Sequence, residues 1–323
     1  MFKWLAFLLL SNFLFALPDH VVTYDKGSRF GDNLLCYLHA KWIAYQYQIP
    51  LRYKRFKYSS SLVLHDQEMR LSKDPNKDKR IAVGLENGLI DLQREDSVMY
   101  TCPYFPEDPW ELERIPYYRF KVDWKNQEFR SLARKMIAPK KRLRLMTPPK
   151  HSVNIAIHVR EGGGYDSEST RLASPLKLPP MSFYRESLSK IVSFFPDQEI
   201  RCHIFTDASD PKKIVEILRD VVPPNVKFTY RKSNNSHKKN VLEDFFSLFN
   251  FDVLIRSQSN FSMVPSLIHD YAIVCSPAGA LIEGDHVIID KTNLEMNETL
   301  YQKLLLRKPS FLSRIRNIFQ LCL

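Results

Sequence analysis

Three short polar segments each follow a predicted buried strand, and their side chains could bind a phosphorylated ligand. They are residues 158–166 (HVREGGGYD), 205–207 (FTD) and 257–262 (SQSNFS). Arg160, in the first segment, has a planar guanidinium group that suits a diphosphate, and the glycines after it leave room for a bulky ligand. The third segment combines hydroxyl groups with the predicted start of a helix, which favours anions.

Each segment also has a purely structural interpretation. The arginine of the first segment could form an ion pair with a carboxylate of its own loop, and polar side chains in the other two could simply cap the helices that follow. The side chains concerned are Arg160 with Glu161 or Asp166, then Asp207 or Asp210, and finally Ser259 or Asn260. The sequence alone leaves both interpretations open.

In the second half of the chain, apolar strand-like runs alternate with helical patterns, which predicts an α/β fold with a parallel sheet and helices on both faces. The predicted strands include 153–159 and runs ending at 206 and 255, with two more around 273–275 and 287–289; the predicted helices are 182–194, 211–220, 241–249 and 261–269. Ligands bind at the carboxyl ends of strands in such sheets. We therefore expect the three polar segments to meet at one edge.

The first half begins with a similar pattern. A strand at 21–24 is followed by a loop with two glycines, 27–31, and by a helix that Asp32 or Asn33 could cap and that Pro50 ends. A strand, a glycine loop and a helix form the start of many nucleotide-binding halves, although a plain turn explains two glycines equally well. A strand at 98–102 and a helix at 127–137 follow, whereas residues 52–96 predict no clear element.

Composition and charge limit the class of protein. The chain has 323 residues, 44% of them hydrophobic, which excludes disorder, collagen and coiled coils and predicts two domains. With 47 Lys+Arg against 36 Asp+Glu, the net charge is +11, which suits nucleic acid, an anionic membrane or a phosphate-bearing substrate. The most basic block, 140–144, lacks interleaved aromatic residues, so we expect a solvated linker there and no nucleic-acid partner.

The predicted organisation has five parts. Residues 1–18 resemble a signal peptide or a short membrane anchor, with a buried first element as the alternative. Residues 19–138 form an N-terminal domain, 139–151 a linker and 152–303 a C-terminal domain. The basic and apolar tail, 304–323, is expected to pack back on the first domain as a helix or to make a peripheral membrane contact.

Neither a metal site nor a disulfide framework is predicted. The five cysteines are odd in number and none has CxxC spacing, so we expect buried free thiols at Cys36, Cys202 and Cys275. The nearest approach to a D-x-D pair is the segment 283–285, for which a solvated turn is the simpler interpretation.

Together the three strand-end segments resemble the motifs of the fucosyltransferase superfamily of GT-B glycosyltransferases, which includes the α1,2-, α1,6- and protein O-fucosyltransferases. Residues 30–33 also stand in the places of the L-G-N-Q motif of the α1,2 group, with Tyr37 in the tyrosine place. The resemblance covers about 27–37 and 152–275. It departs from the usual H-x-R-R at Glu161, which replaces the second arginine and removes one cationic contact.

The resemblance implies a fold of two Rossmann-like domains facing a cleft and a donor that is a nucleotide-diphosphate sugar, GDP-fucose in most relatives. It implies no metal or other cofactor, and a glycan or glycoprotein as the acceptor. Arg160 matches the arginine that contacts the donor β-phosphate, and we expect its side chain to point into the cleft, within reach of Ser257 or Ser259. The other matching donor-site positions are Gly31, His158, Asp207, Ser257, Ser259 and Phe261.

An inverting displacement also needs a base for the acceptor hydroxyl. Asp166 and Glu168 follow the first motif on the same loop, and Glu168 has the spacing at which the α1,6 relatives carry their proposed base. Two solvated carboxylates are the structural alternative, and Glu161 is a weaker candidate.

Two other classes of protein remain open. One is an inactive GT-B module that binds a glycan or a nucleotide sugar, which the missing second arginine suggests. The other is a secreted basic adhesion or envelope protein, which the N-terminal segment and the net charge of +11 suggest. If the N-terminal segment is a signal peptide or an anchor, we expect the protein in the secretory pathway, the Golgi or at a membrane in a eukaryote, and in the envelope or outside the cell in a bacterium.

Overall fold

The computed structural model describes residues 20–70, 79–83, 90–93, 97–103, 121–161, 167–233 and 235–307. The chain divides into two compact units, the first made of residues 1–107 and 111–141 and the second of 108–110 and 142–323. The division between residues 141 and 142 lies inside the segment 139–151. Each unit has its own parallel sheet, so the α/β prediction is confirmed.

The first unit is built on a three-stranded parallel sheet. Its elements are β1 (His20–Tyr24), α1 (Phe30–Tyr47), β2 (Arg52–Tyr53), α2 (Leu64–Gln67), β3 (Met69–Arg70), β4 (Lys79–Ala82), β5 (Val98–Cys102) and α3 (Gln127–Ile137). The strand order is β1-β5-β4, and β2 and β3 form a separate parallel pair. The apolar side chains of α1 are completely buried on its inner face, for example Leu34, Leu35 and Leu38.

The backbone conformation at its last residues explains where α1 ends. The helix stops at Tyr47 because Gln48 takes a left-handed conformation with φ of 55°, and its N–H bonds back to the carbonyl oxygen of Ala44. Pro50 lies two residues further on. The helix begins at Phe30, two residues before the earlier of the two predicted caps.

The second unit contains a six-stranded sheet. Its elements are β6 (Val153–Val159), α4 (Glu168–Ala173), α5 (Met181–Ser193), β7 (Ile200–Thr206), α6 (Pro211–Arg219), β8 (Lys227–Tyr230), α7 (Val241–Ser247), β9 (Val253–Arg256), α8 (Asn260–Ile268), β10 (Ile273–Glu283), β11 (His286–Met296) and α9 (Glu298–Leu305). The strand order is β11-β10-β9-β6-β7-β8. All seven residues of β6 are buried, as expected for a central parallel strand covered on both faces.

The structure corrects the prediction for the last strand. Residues 273–275 begin β10, which pairs in parallel with β9 as predicted, but residues 287–289 lie in β11, which forms an antiparallel hairpin with β10. A two-residue turn suffices to join antiparallel strands, so no crossover helix is needed. The turn, at 284–285, has Gly284 at φ of 62°, and this agrees with the expectation of a solvated turn for 283–285.

The segment 139–151 and the start of the C-terminal tail are better anchored than the sequence predicts. Lys140 forms an ion pair with Asp66 in the first unit, at 2.9 Å. The N–H of Met146 donates to Ser247 Oγ in the second unit, at 2.8 Å. In the tail, Leu304 is buried in the core of the second unit. The rest of the tail, from residue 308, and the predicted signal or anchor segment 1–18 lie outside the described residues.

Four of the five cysteines, Cys36, Cys102, Cys202 and Cys275, are buried free thiols, which confirms the prediction for the three that were singled out. Among the helices that the structure describes, none is both long enough and apolar enough to cross a membrane.

Candidate functional site

The first and third polar segments meet at the carboxyl edge of the sheet in the second unit. Strands β6 and β9 pair in parallel, with His158 opposite Arg256. Directly after β6, Nη1 of Arg160 donates to the hydroxyl oxygen of Ser259, at 3.3 Å. This contact agrees with the expectation that Arg160 reaches Ser257 or Ser259, and it holds the guanidinium group at the start of α8.

The contact also decides between the two interpretations of Ser259. Ser259 occupies the N-cap position of α8, but its side chain makes no capping hydrogen bond. Its backbone carbonyl oxygen accepts from the N–H groups of Ser262 and Met263, at 3.0 and 2.9 Å. The side-chain oxygen is therefore used by Arg160 and not by the helix.

The second segment supports the loop that follows Arg160. Oδ1 of Asp207 accepts from the backbone N–H of Glu161, at 3.1 Å. The helix α6 is capped instead by Asp210, whose carboxylate accepts from the N–H of Lys212 at 3.2 Å. Asp207 is thus a residue of the strand-end cluster, and Asp210 has the purely structural role.

His158 lies at the centre of this cluster. Its Nδ1 is 2.8 Å from Ser262 Oγ, and its ring centroid is 5.4 Å from that of Phe261. Burial lowers the pKa of His158 to about 4, although the carboxylate of Asp207 acts in the opposite direction. The imidazole is therefore neutral at pH 7, and it provides a hydrogen-bonding group without adding charge.

Ser257 differs from Ser259 in having a completely buried hydroxyl group. No described side chain reaches its Oγ with good hydrogen-bond geometry, but the hydroxyl of Tyr184 lies close enough to interact with it. That hydroxyl itself donates to the carbonyl oxygen of His158, at 3.2 Å.

One residue that the sequence analysis did not single out completes the cluster. Arg256, the last residue of β9, is buried and donates through Nη1 to the Ser257 carbonyl oxygen, at 3.1 Å, and to Oε1 of Gln258, at 2.9 Å. Both Arg160 and Arg256 lower the pKa of His158, which means that two positive charges lie near the imidazole. The signal in the sequence was a charged residue at the end of an apolar strand, as at Arg160.

Of the two candidate bases, Asp166 and Glu168, the structure describes only Glu168. Asp166 lies outside the described residues, between 162 and 166. Glu168 is the first residue of α4 and its side chain is exposed, and Ser167 caps this helix. Glu168 lines a groove between α4 and the tip of the β10–β11 hairpin, together with Arg171 and His286.

The remaining candidate, Gly31, belongs to the first unit. It is buried in the first turn of α1, where Oδ2 of Asp32 accepts from the N–H of Arg29, at 3.0 Å, and from Ser28 Oγ, at 2.5 Å. A Cβ at Gly27 would lie 2.4 Å from the Cβ of Asp32, so this position requires glycine. The carboxylate of Asp32 therefore caps the start of α1 through the backbone N–H of Arg29.

Within the described parts of the chain, no group of three or more His, Cys, Asp or Glu side chains could hold a metal ion.

Comparison with known proteins gives structural matches only. No protein-family model and no curated protein matches the sequence. A mutant of Arabidopsis thaliana FUT1 in complex with GDP has a TM-score of 0.49 and 13% identity, over 79% of this chain and 69% of that chain. POFUT1 in complex with GDP has a TM-score of 0.44 and 12% identity, over 79% and 96%.

The α-1,6-fucosyltransferase NodZ soaked with GDP-fucose also has a TM-score of 0.44, with 13% identity over 86% of this chain and 99% of that chain. NodZ structures that name the source come from Bradyrhizobium. At these values the likeness is partial and says nothing about the reaction of this chain.

Proposed function

We propose that this protein is an inverting, metal-independent glycosyltransferase that transfers fucose from GDP-fucose to a hydroxyl group of a glycan or glycoprotein. The observation that carries the proposal is the contact between Arg160 and Ser259 at the carboxyl edge of a parallel sheet, at 3.3 Å. This edge is where ligands bind in such sheets. The motifs that resemble the superfamily supply the identity of the donor.

In the proposed donor site, the diphosphate lies against Arg160 and the first turn of α8. The guanidinium group can donate two parallel hydrogen bonds to phosphate oxygens, and the Ser259 hydroxyl is already within its reach. His158 and Phe261 form a neutral, partly aromatic wall beside the phosphates. Asp207 fixes the loop after Arg160 through the N–H of Glu161.

The reaction is a single displacement. The acceptor oxygen attacks the anomeric carbon of fucose from the face opposite the nucleotide, and the bond between that carbon and the β-phosphate oxygen breaks. The acceptor proton passes to the carboxylate of Glu168, and Arg160 stabilises the charge that develops on the departing GDP. The second positive charge, which H-x-R-R enzymes place next to the first, comes from the buried Arg256.

A calorimetric titration with GDP and with GDP-fucose, followed by an assay of GDP release in the presence of a glycan mixture, tests the proposal. We expect GDP to bind at micromolar concentration and to be released from GDP-fucose without added metal and in the presence of EDTA. Binding of GDP with no release from GDP-fucose would identify an inactive nucleotide-binding module. The absence of any GDP binding would reject the donor site altogether and favour an adhesion protein.

A further inference from the structure

A second group of positive charges lies in the first unit, in a part of the chain that the proposed donor site does not use. The sequence has no acidic residue from 33 to 65, and its segment 52–57 (RYKRFK) contains four basic ones. In this segment the aromatic side chains of Tyr53 and Phe56 are buried, whereas Arg55 is exposed. The exposed part of the segment therefore carries positive charge.

These charges stand at the carboxyl ends of parallel strands. Strand β2 pairs in parallel with β3, with Tyr53 opposite Arg70, so Arg70 ends one strand and Arg55 follows the end of the other by two residues. Just before β2, Leu51 also pairs in parallel with Val22 of β1. Ligands bind at the carboxyl ends of strands in such sheets. The first unit thus presents two arginines at the edge where a ligand is expected.

The imidazole ring of His65 contacts one of these arginines and a buried tyrosine. Nη2 of Arg70 donates to Nε2 of His65, at 2.6 Å, and Nδ1 of His65 contacts the Tyr53 hydroxyl. Because Nε2 accepts a hydrogen bond, the ring is neutral and carries its proton on Nδ1. Burial lowers the pKa of His65, and the charge of Arg70 lowers it further. The charges of Lys140 and Arg55 act in the same direction, so three cationic side chains lie near one neutral ring.

The positive charge of this basic cluster (Arg55, Arg70 and Lys140 around His65) is only partly balanced. The carboxylate of Asp66 also acts on His65, but Nζ of Lys140 already contacts both of its oxygens, at 3.0 and 2.9 Å. Three positive charges and one negative charge leave a local net charge of +2. Within the described residues, neither Arg55 nor Arg70 forms an ion pair with a carboxylate, and Arg70 donates only to the imidazole.

We propose that the basic cluster binds a phosphate group, held by the guanidinium groups of Arg55 and Arg70. The proposal goes beyond fucose transfer and does not depend on the donor site. A guanidinium group matches phosphate oxygens with two parallel hydrogen bonds, and Arg70 keeps further N–H groups after its bond to His65. A phosphate monoester carries about −1.5 to −2 charges at pH 7, which balances the local charge, whereas a carboxylate carries a single charge. The phosphate group belongs either to a soluble ligand or to the headgroup of an anionic lipid.

Exposed side chains allow the charges to be removed without a change in the core. Arg55→Met changes charge alone, because Arg55 forms no hydrogen bond or ion pair with the part of the chain that the structure describes. Arg70→Met also removes the bond to His65. The control, Lys125→Met, removes the same charge from an exposed position before α3, whereas Lys140 follows this helix, which is about 16 Å long. Thermal unfolding shows whether each variant is folded.

Calorimetry at low ionic strength measures the binding of sodium phosphate and of sodium acetate, and NMR follows the ring signals of His65, which are assigned by their loss in His65→Gln. We expect phosphate to bind the wild type and K125M equally and to shift the His65 signals. R55M and R70M should bind phosphate at least tenfold more weakly, and acetate should bind the wild type more weakly than phosphate does.

Flotation with phosphatidylcholine vesicles, with and without phosphatidic acid, distinguishes the two sources of the phosphate group. Binding that requires phosphatidic acid and that R55M and R70M reduce would assign a lipid headgroup, and phosphate binding without vesicle binding would assign a soluble ligand. Unshifted His65 signals, unchanged phosphate binding by both arginine variants, or acetate binding as tight as that of phosphate would overturn the proposal. Phosphate binding that Arg160→Lys abolishes and R55M leaves intact would assign the phosphate to the donor site and reject this one.

Discussion

Replacement of Arg160 by lysine separates the geometry of this side chain from its charge. Lysine keeps one positive charge, but its ammonium group cannot make the two parallel hydrogen bonds of a guanidinium group to a diphosphate. In the structure, Nη1 of Arg160 is 3.3 Å from Ser259 Oγ, which sets the orientation of the planar group at the start of α8. A lysine at this position would reach the same region as a point charge without that orientation.

The expected loss of kcat depends on when negative charge develops on the diphosphate. Charge on the diphosphate grows as the bond to fucose breaks, so Arg160 contributes more to the transition state than to donor binding. By analogy with the removal of one donor from an oxyanion hole, the loss is about 2.7–4 kcal/mol, or roughly 10²–10³ in kcat. We expect GDP affinity to fall by less, about tenfold, because lysine keeps the ground-state charge interaction.

The assay compares kcat for GDP release with the dissociation constant of GDP from calorimetry, for the wild type, Arg160→Lys and Arg201→Lys. Arg201 is a suitable control because it lies near the start of β7, at the other edge of the sheet, where it pairs with Glu199 at 2.9 Å. R201K should match the wild type in both quantities. Wild-type kcat for R160K would remove Arg160 from the mechanism, and an equal loss in kcat and affinity would mean that it serves only in donor binding.

Three further predictions concern affinity and stability. Ser259→Ala removes a neutral partner of Arg160, and we expect GDP affinity to fall by about 0.5–1.5 kcal/mol in calorimetry, whereas Ser266→Ala, on the same helix, should leave it unchanged. Burial lowers the pKa values of His158 and His203 to about 4, so the unfolded chain takes up protons first as the pH falls from 6.5 towards 4. Stability is thus retained above pH 6.5 and lost below it. In urea unfolding, the free energy of unfolding should be lower by about 1–2 kcal/mol per histidine at pH 5 than at pH 7. A free energy of unfolding that does not change with pH would contradict the buried, neutral state of the two histidines. Arg307→Ala breaks two hydrogen bonds to Asp252, at 2.6 and 2.7 Å, and should lower the free energy of unfolding by about 1.5–3 kcal/mol in urea. Lys213→Ala, at an exposed position of α6, should change it by less than ~0.5 kcal/mol.

The sequence was sufficient to predict β6, β7, β9 and the start of β10 in the second unit, but not β8. Strand β6 is mostly apolar and completely buried, and α6 has Asp210 as its cap, Pro211 at its first position and Ile214, Val215 and Leu218 at helical spacing. Such local patterns need no knowledge of distant residues. They place the three polar segments at the same edge, where the structure shows them in contact.

The hairpin and the small strands of the first unit could not be predicted in the same way. The apolar run 287–289 looks like one more parallel strand, and only its pairing with β10 shows that it is antiparallel. The pairing of β4 with β5 is equally non-local. The ion pair between Arg307 and Asp252, more than fifty positions apart, is a further non-local contact that no local pattern predicts.

The linear motif and the folded site differ in positive charge. In the motif, Glu161 stands where H-x-R-R enzymes carry their second arginine, so one positive charge is missing. In the folded chain, the parallel pairing of β6 with β9 brings Arg256 opposite His158, so that two arginines act on the same imidazole. Asp207 accepts a hydrogen bond from the N–H of Glu161, and this contact fixes the backbone of Glu161.

If Arg256 restores the missing charge, Arg256→Met should weaken GDP binding more strongly at low ionic strength than at high, because the charge acts at a distance rather than through contact. The isosteric charge removal Glu161→Gln should strengthen binding with the same dependence on salt, and calorimetry of both variants at two salt concentrations tests the argument. If both variants bind GDP with the affinity of the wild type at both salt concentrations, neither charge acts on the nucleotide.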